Sequence, residues 1–125
     1  MKEFMKKYEK ENLGTMVVFL LPSLKLKKRR KGLALEDKLH QFLLKKFNGY
    51  TAASGNIFGY WKNRGKEFYG EHIEYKVSLL QPNKLAVLES FLAKFATEMG
   101  EKTIYISAGE VSWLLYPKAS TKREA

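Results

Sequence analysis

The 125 residues predict one α+β domain, an antiparallel sheet with two helices on one face, from three observations. Two segments carry apolar residues at helical spacing. At least three others carry the period-two or continuous apolar pattern of strands, and glycine, asparagine or proline punctuates most of the joints between them. With 45% apolar residues the chain is long enough for a real core and too short for two.

Thr15 to Leu21 is a continuous apolar run that predicts a central strand, ending near Pro22. It is too short to span a bilayer and lacks a signal-peptide cleavage pattern, so no membrane partner is expected. Leu35, Leu39, Phe42, Leu43 and Phe47 line one face of a first helix, which Asn48-Gly49 closes. Tyr50 to Lys62 reads as a second strand interrupted by Ser54-Gly55-Asn56, with Asn63-Arg64-Gly65 as the next turn. Glu71 then leads into a third strand, where Ile73, Tyr75, Val77 and Leu79 alternate with His72, Glu74, Lys76 and Ser78. Asn83 is positioned to cap a second helix with the stripe Leu85, Leu88, Leu92, Phe95 and Met99, which Gly100 ends. Thr103 to Ile106 and Val111 to Tyr116 form a hairpin around Ala108-Gly109-Glu110.

The order is β-α-β-β-α-β plus a C-terminal hairpin strand, the split βαβ or ferredoxin-like arrangement. Residues 1–14 are expected as a tail or short helix, 15–117 as the domain and 118–125 as a disordered tail. Such a fold leaves one sheet face open to be covered by oligomerisation, and Trp113, Tyr116, Leu80 and Tyr69 are candidates for that interface.

Composition removes several function classes. There is no cysteine, which excludes disulfides, iron–sulfur clusters and thiol catalysis, and His40 and His72 stand in no metal-ligand spacing, so no metal is expected. No GxxxxGK[ST], GxGxxG or HExxH sequence appears. Glu71 and Glu74 lie three apart, on opposite faces of a regular strand, which weakens a carboxylate dyad. The net charge is +10, and Lys25, Lys27, Lys28, Arg29, Arg30 and Lys31 supply six positives with no acid among them. That run is expected as a solvated or disordered loop. Nucleic acid is a secondary partner, since no aromatics interleave with the cations.

Gly49, Gly55, Gly59, Gly65 and Gly70 fall within one short stretch beside Tyr60, Trp61 and Glu71. Two readings fit: backbone that approaches a ligand closely, with aromatic faces and one acid around it, or a glycine-punctuated meander whose aromatics fill the core.

The order Gly49-Tyr50-Thr51, then Gly59-Tyr60-Trp61, then Glu71 before an alternating strand, a helix and Tyr105-Ile106 before a final hairpin resembles the small phage-encoded S-adenosylmethionine lyases. The resemblance spans roughly Leu35 to Tyr116. It implies a lyase that releases homoserine lactone and 5′-methylthioadenosine, needs no cofactor, and works at sites between subunits of a homotrimer. A phage protein of this family would act in the host cytoplasm against methylation-dependent restriction. Tyr60 and Glu71 match the family's catalytic Tyr and Glu. Trp61, Thr51, Ser54, Gly55, Asn56 and Glu101 are the accompanying substrate-binding candidates. Many relatives carry Gln-Glu after the second helix, where this chain has Glu101-Lys102, a departure at one of those positions. The same pattern also resembles small ferredoxin-like proteins of plasmids and phages. Two rival functions therefore stand beside the lyase. A nucleic-acid-binding accessory protein using Lys25 to Lys31 would show salt-sensitive binding, and a ferredoxin-like oligomerisation module would show no thermal shift with S-adenosylmethionine.

Overall fold

The computed structural model describes residues 7–55 and 57–118. Its elements are β1 (Thr15–Pro22), the two-residue strands β2 (Arg29–Arg30) and β3 (Leu33–Ala34), α1 (Leu35–Phe47), β4 (Thr51–Ala53), β5 (Phe58–Asn63), β6 (Lys66–Leu79), α2 (Lys84–Met99), β7 (Ile104–Ala108) and β8 (Val111–Leu115). The main sheet runs β4-β6-β1-β7-β8, all neighbours antiparallel, with β5 paired to β6. Taking β4, β6 and β7 as the second, third and fourth strands, this is the expected split βαβ order with β8 added at one edge.

Register explains which residues are buried. Val17, Phe19 and Leu21 of β1 sit opposite Val77, Tyr75 and Ile73 of β6, and Phe19 also faces Ile106 of β7. This row forms one core with Leu35, Leu39 and Leu43 of α1 and Leu88, Leu92, Phe95, Ala96 and Met99 of α2, so both helices cover the same face. Each fully buried Leu or Phe contributes about 1.5–3 kcal/mol by leaving water. Phe42 stacks on Phe91 at 3.8 Å between ring centroids, and Lys38 bonds Glu98 at 2.7 Å, joining the helices.

Asn48 and Gly100 take the left-handed conformation, at φ 67° and 78°, that ends α1 and α2 as the sequence indicates. Asn83, however, makes no side-chain cap; its backbone is already helical, at φ −69° and ψ −14°, where a capping residue is extended.

The opposite sheet face is open. It presents Met16, Val18 and Leu20 of β1, His72, Glu74, Lys76 and Ser78 of β6, Tyr105 and Ser107 of β7, and Ser112 and Leu114 of β8. Trp113 belongs to the other face: it pairs with Ile106, packs on the core, and its indole N–H donates to Glu89 at 3.0 Å. Met16, Tyr105 and Leu114 are large exposed residues of the open face, and the other interface candidates, Leu80, Tyr116 and Tyr69, are exposed as well.

The basic segment is ordered. Leu26 is fully buried in the core, Lys25–Lys27 form one 3-10 turn, and β2 and β3 make a small hairpin. One apolar anchor is enough to override the loop that the charges suggest. Residues 7–14 carry no helix and lie exposed; the remaining tail residues, 1–6 and 119–125, fall outside the described residues.

Candidate functional site

At 14 residues β6 outruns β1, whose last pair joins Pro22 to His72. Residues 66–71 therefore pair with β5 alone, making a two-stranded arm that continues past the end of β1. Arg64 and Gly65 turn it at φ 56° and 78°, the doubly positive geometry that matches strand twist. Glu71 consequently lies within a long strand and not at the turn-to-strand junction that the sequence suggests.

Strand alternation sorts the arm's side chains into two faces. One carries Phe58 opposite Glu71 and Tyr60 opposite Tyr69, the two tyrosine rings stacked with centroids 5.9 Å apart. Tyr60 and Glu71 are thus diagonal neighbours, about 7–8 Å apart at their backbones, within reach of one small molecule. The other face carries Trp61 stacked on Phe68, and Gly59 opposite Gly70. Trp61, adjacent to Tyr60 in sequence, does not share its face.

At the arm's base, Glu71 meets the chain leaving β1. The Ser23 amide donates to the Glu71 carbonyl at 3.0 Å, and the Ser23 hydroxyl lies 3.3 Å from Glu71 Oε1. Two residues on, Lys25 bonds the Glu101 carboxylate at 2.5 Å and the Gly100 carbonyl at 3.2 Å. Glu101 is thereby held at the same end of the sheet as Glu71, with Lys25 as its partner. Lys27 pairs with Glu36 at 3.2 Å. The basic segment begins beside Glu71, and its first two paired cations, Lys25 and Lys27, are matched by the carboxylates of Glu101 and Glu36, which weakens their field at this end.

The remaining candidates are dispersed. Thr51 pairs with Lys76 and lies on the open sheet face; Ser54 and Gly55 are exposed in the loop joining β4 to β5, Gly55 at φ 93°. Asn56 lies outside the described residues. Glu74 faces away from Glu71, as the three-residue spacing predicts, and approaches Lys76 at 3.9 Å.

Two of the glycines have an internal purpose. A Cβ on Gly59 would come within 3.1 Å of His72 Cε1, and one on Gly70 within 3.5 Å, so the imidazole lies over this glycine pair. His72 Nδ1 sits 2.8 Å from the Gly70 carbonyl, which only accepts; Nδ1 therefore carries the proton. Sequence reasoning missed His72, Ser23 and Lys25. The signals were present only as a serine directly after a strand-ending proline and a cation hidden in a basic run.

Away from this end, Tyr75 stacks on Phe19 at 5.2 Å and burial raises its phenol pKa well above the ordinary value. Tyr50, bonded to His40 Nδ1 at 2.7 Å, is raised by burial and then by Asp37 and Glu36. Both stay neutral at physiological pH.

Two solved structures share this fold. A phage SAM lyase in complex with S-methyl-5′-thioadenosine superposes with a TM-score of 0.53 at 5% sequence identity, covering 89% of this chain and 95% of its own. A phage SAM lyase in the apo state gives 0.54 at 5% identity, covering 90% and 98%. No protein-family model and no curated protein sequence matches the chain. At this identity the likeness extends to the fold, along nearly the whole length of each chain.

Proposed function

We propose that this protein is an S-adenosylmethionine lyase whose site is built on the Tyr60–Glu71 face of the arm. The observation that carries the reading is that these two residues, fixed on one strand pair by register, stand together on a face that a single chain leaves open: Tyr60 is 75% and Tyr69 70% exposed. The fold shared with phage SAM lyases supports it.

The chemistry suits an aromatic ring and one acid. The sulfonium is a good leaving group, so the substrate's own carboxylate oxygen attacks the γ-carbon as the Cγ–S bond breaks. The electron pair goes to sulfur, giving neutral methylthioadenosine, and the lactone keeps the ammonium. The reaction calls for neither a general base nor a metal; it calls for a curled, near-attack substrate, the kind of positioning that supplies several kcal/mol. Tyr60 contacts the sulfonium through its ring face, worth about 0.5–2 kcal/mol. Glu71, oriented by Ser23, receives the substrate ammonium or ribose hydroxyls.

An arm exposed on both faces does not enclose a substrate. A neighbouring copy completes the site, and a homotrimer with seams along the arms is the assembly proposed. Removal of a host's methyl donor would protect a phage genome from methylation-dependent restriction, with the host cytoplasm as the place of action. Incubation with S-adenosylmethionine followed by mass spectrometry tests the reading: homoserine lactone and methylthioadenosine are expected, and an unchanged substrate overturns it.

A further inference from the structure

The β2–β3 hairpin is a preformed cationic tip that the lyase chemistry leaves unused. It is pinned at its base by buried Leu26, by the Lys27–Glu36 pair and by the Leu35 amide donating to the Lys28 carbonyl at 2.8 Å. Arg29 pairs with Ala34 and Arg30 with Leu33, while Lys31 and Gly32 make the turn at φ 56° and 79°. The Arg29 guanidinium bonds the Gly32 carbonyl across that turn.

Of the six cations in the run, Lys25 and Lys27 are engaged by Glu101 and Glu36. Among the described residues, Lys28, Arg29, Arg30 and Lys31 pair with no carboxylate, and all four are exposed. Consecutive strand residues point to opposite sides, so Arg29 and Arg30 place charge on both faces of the ribbon with Lys31 at its tip.

We propose that this hairpin is a sequence-independent contact for the phosphate backbone of double-stranded nucleic acid. Four positive charges on a short ordered ribbon match closely spaced phosphates, and binding releases the counterions condensed there. Residues 28–32 contain no aromatic ring, so the stacking platform that single strands require is absent from the ribbon. The leucine that precedes the ribbon, Leu26, is buried, and Lys31 and Gly32 form the turn, so no apolar tip is present to enter a lipid surface. The inference does not depend on the lyase reading.

The test is a fluorescence-anisotropy titration of the full chain against a labelled DNA duplex over a range of salt concentrations, with phosphatidylserine vesicles as a parallel arm. Four neutralised phosphates predict a slope of log K against log salt of about −3 to −4. The double variant Arg30→Gln/Lys31→Gly should reduce its magnitude by about 2 while preserving the fold, because glycine suits the positive φ of the Lys31 position. Lys45→Gln/Lys94→Gln, which removes equal charge from exposed helix positions, should leave the slope in place. Equal losses in the two double variants would reassign the effect to diffuse net charge and overturn the proposal. So would binding to vesicles without binding to the duplex, or a duplex affinity that does not fall as salt rises.

Discussion

Tyr60 and Trp61 are adjacent in sequence yet on opposite faces of the arm, and only Tyr60 shares a face with Glu71. Replacing each by alanine therefore separates ligand contact from arm stability. Tyr60→Ala removes the ring assigned to the sulfonium, about 0.5–2 kcal/mol, which converts to a two- to thirtyfold fall in kcat/KM. Tyr60→Phe keeps the ring face and should stay near the parent. Trp61→Ala loses the stack on Phe68, about 0.5–1.5 kcal/mol of arm stability, without touching the reacting atoms. Methylthioadenosine release would be measured for all three under saturating and sub-saturating S-adenosylmethionine, beside a denaturant melt. A Trp61→Ala enzyme that loses as much kcat/KM as Tyr60→Ala, at unchanged oligomeric state, would refute the facial assignment.

Other consequences concern the scaffold. Phe19→Ala empties a fully buried site stacked on Tyr75 and should cost about 3–5 kcal/mol in a urea melt, whereas Leu24→Ala, at an exposed position, should stay within about 0.5 kcal/mol. Gly14→Ala would drive a Cβ into the Leu79 carbonyl at φ 89°, so about 2–4 kcal/mol of stability should be lost; a neutral result would displace that contact. Burial raises the Tyr75 pKa above its ordinary 10.0, so the folded state holds this proton more tightly than the unfolded chain. The associated stability is complete below pH 10 and declines as pH rises beyond it, by up to about 1.4 kcal/mol per pH unit. Tyr75→Phe should flatten that part of the pH dependence, checked by urea midpoints on either side of pH 10.

The core was legible because burial leaves a period in the sequence. Ile73, Tyr75, Val77 and Leu79 alternate where β6 has one covered face, and the stripes of α1 and α2 repeat at helical spacing where the sheet meets them. The same strand is silent from Lys66 to Glu71. There both faces carry aromatic or charged residues and neither meets the core, so the arm's strand start and the face of each ring had no pattern to betray them. Trp113 reads as an interface residue because indoles suit surfaces, but Glu89 offers its N–H a partner from a helix distant in sequence. The order of the basic hairpin rests on Leu26, a single apolar residue among cations, which periodicity does not weigh. Tyr60 and Glu71 stood out as an aromatic ring and an acid beside clustered glycines, and the resemblance in motif order matched them to a role; that they share a face depends on pairing register, which is set by the turn at Arg64-Gly65 and is absent from any single strand's pattern.

In the proposed reaction the substrate's own carboxylate performs the cleavage while Glu71 holds the substrate in place. Running the reaction in heavy-oxygen water, and comparing the parent with Glu71→Gln by mass spectrometry, separates this route from attack by water. Unlabelled homoserine lactone with methylthioadenosine is expected from the parent, and little of either from the variant. Heavy oxygen in the γ-hydroxyl of homoserine, or a variant that turns over like the parent, would contradict it.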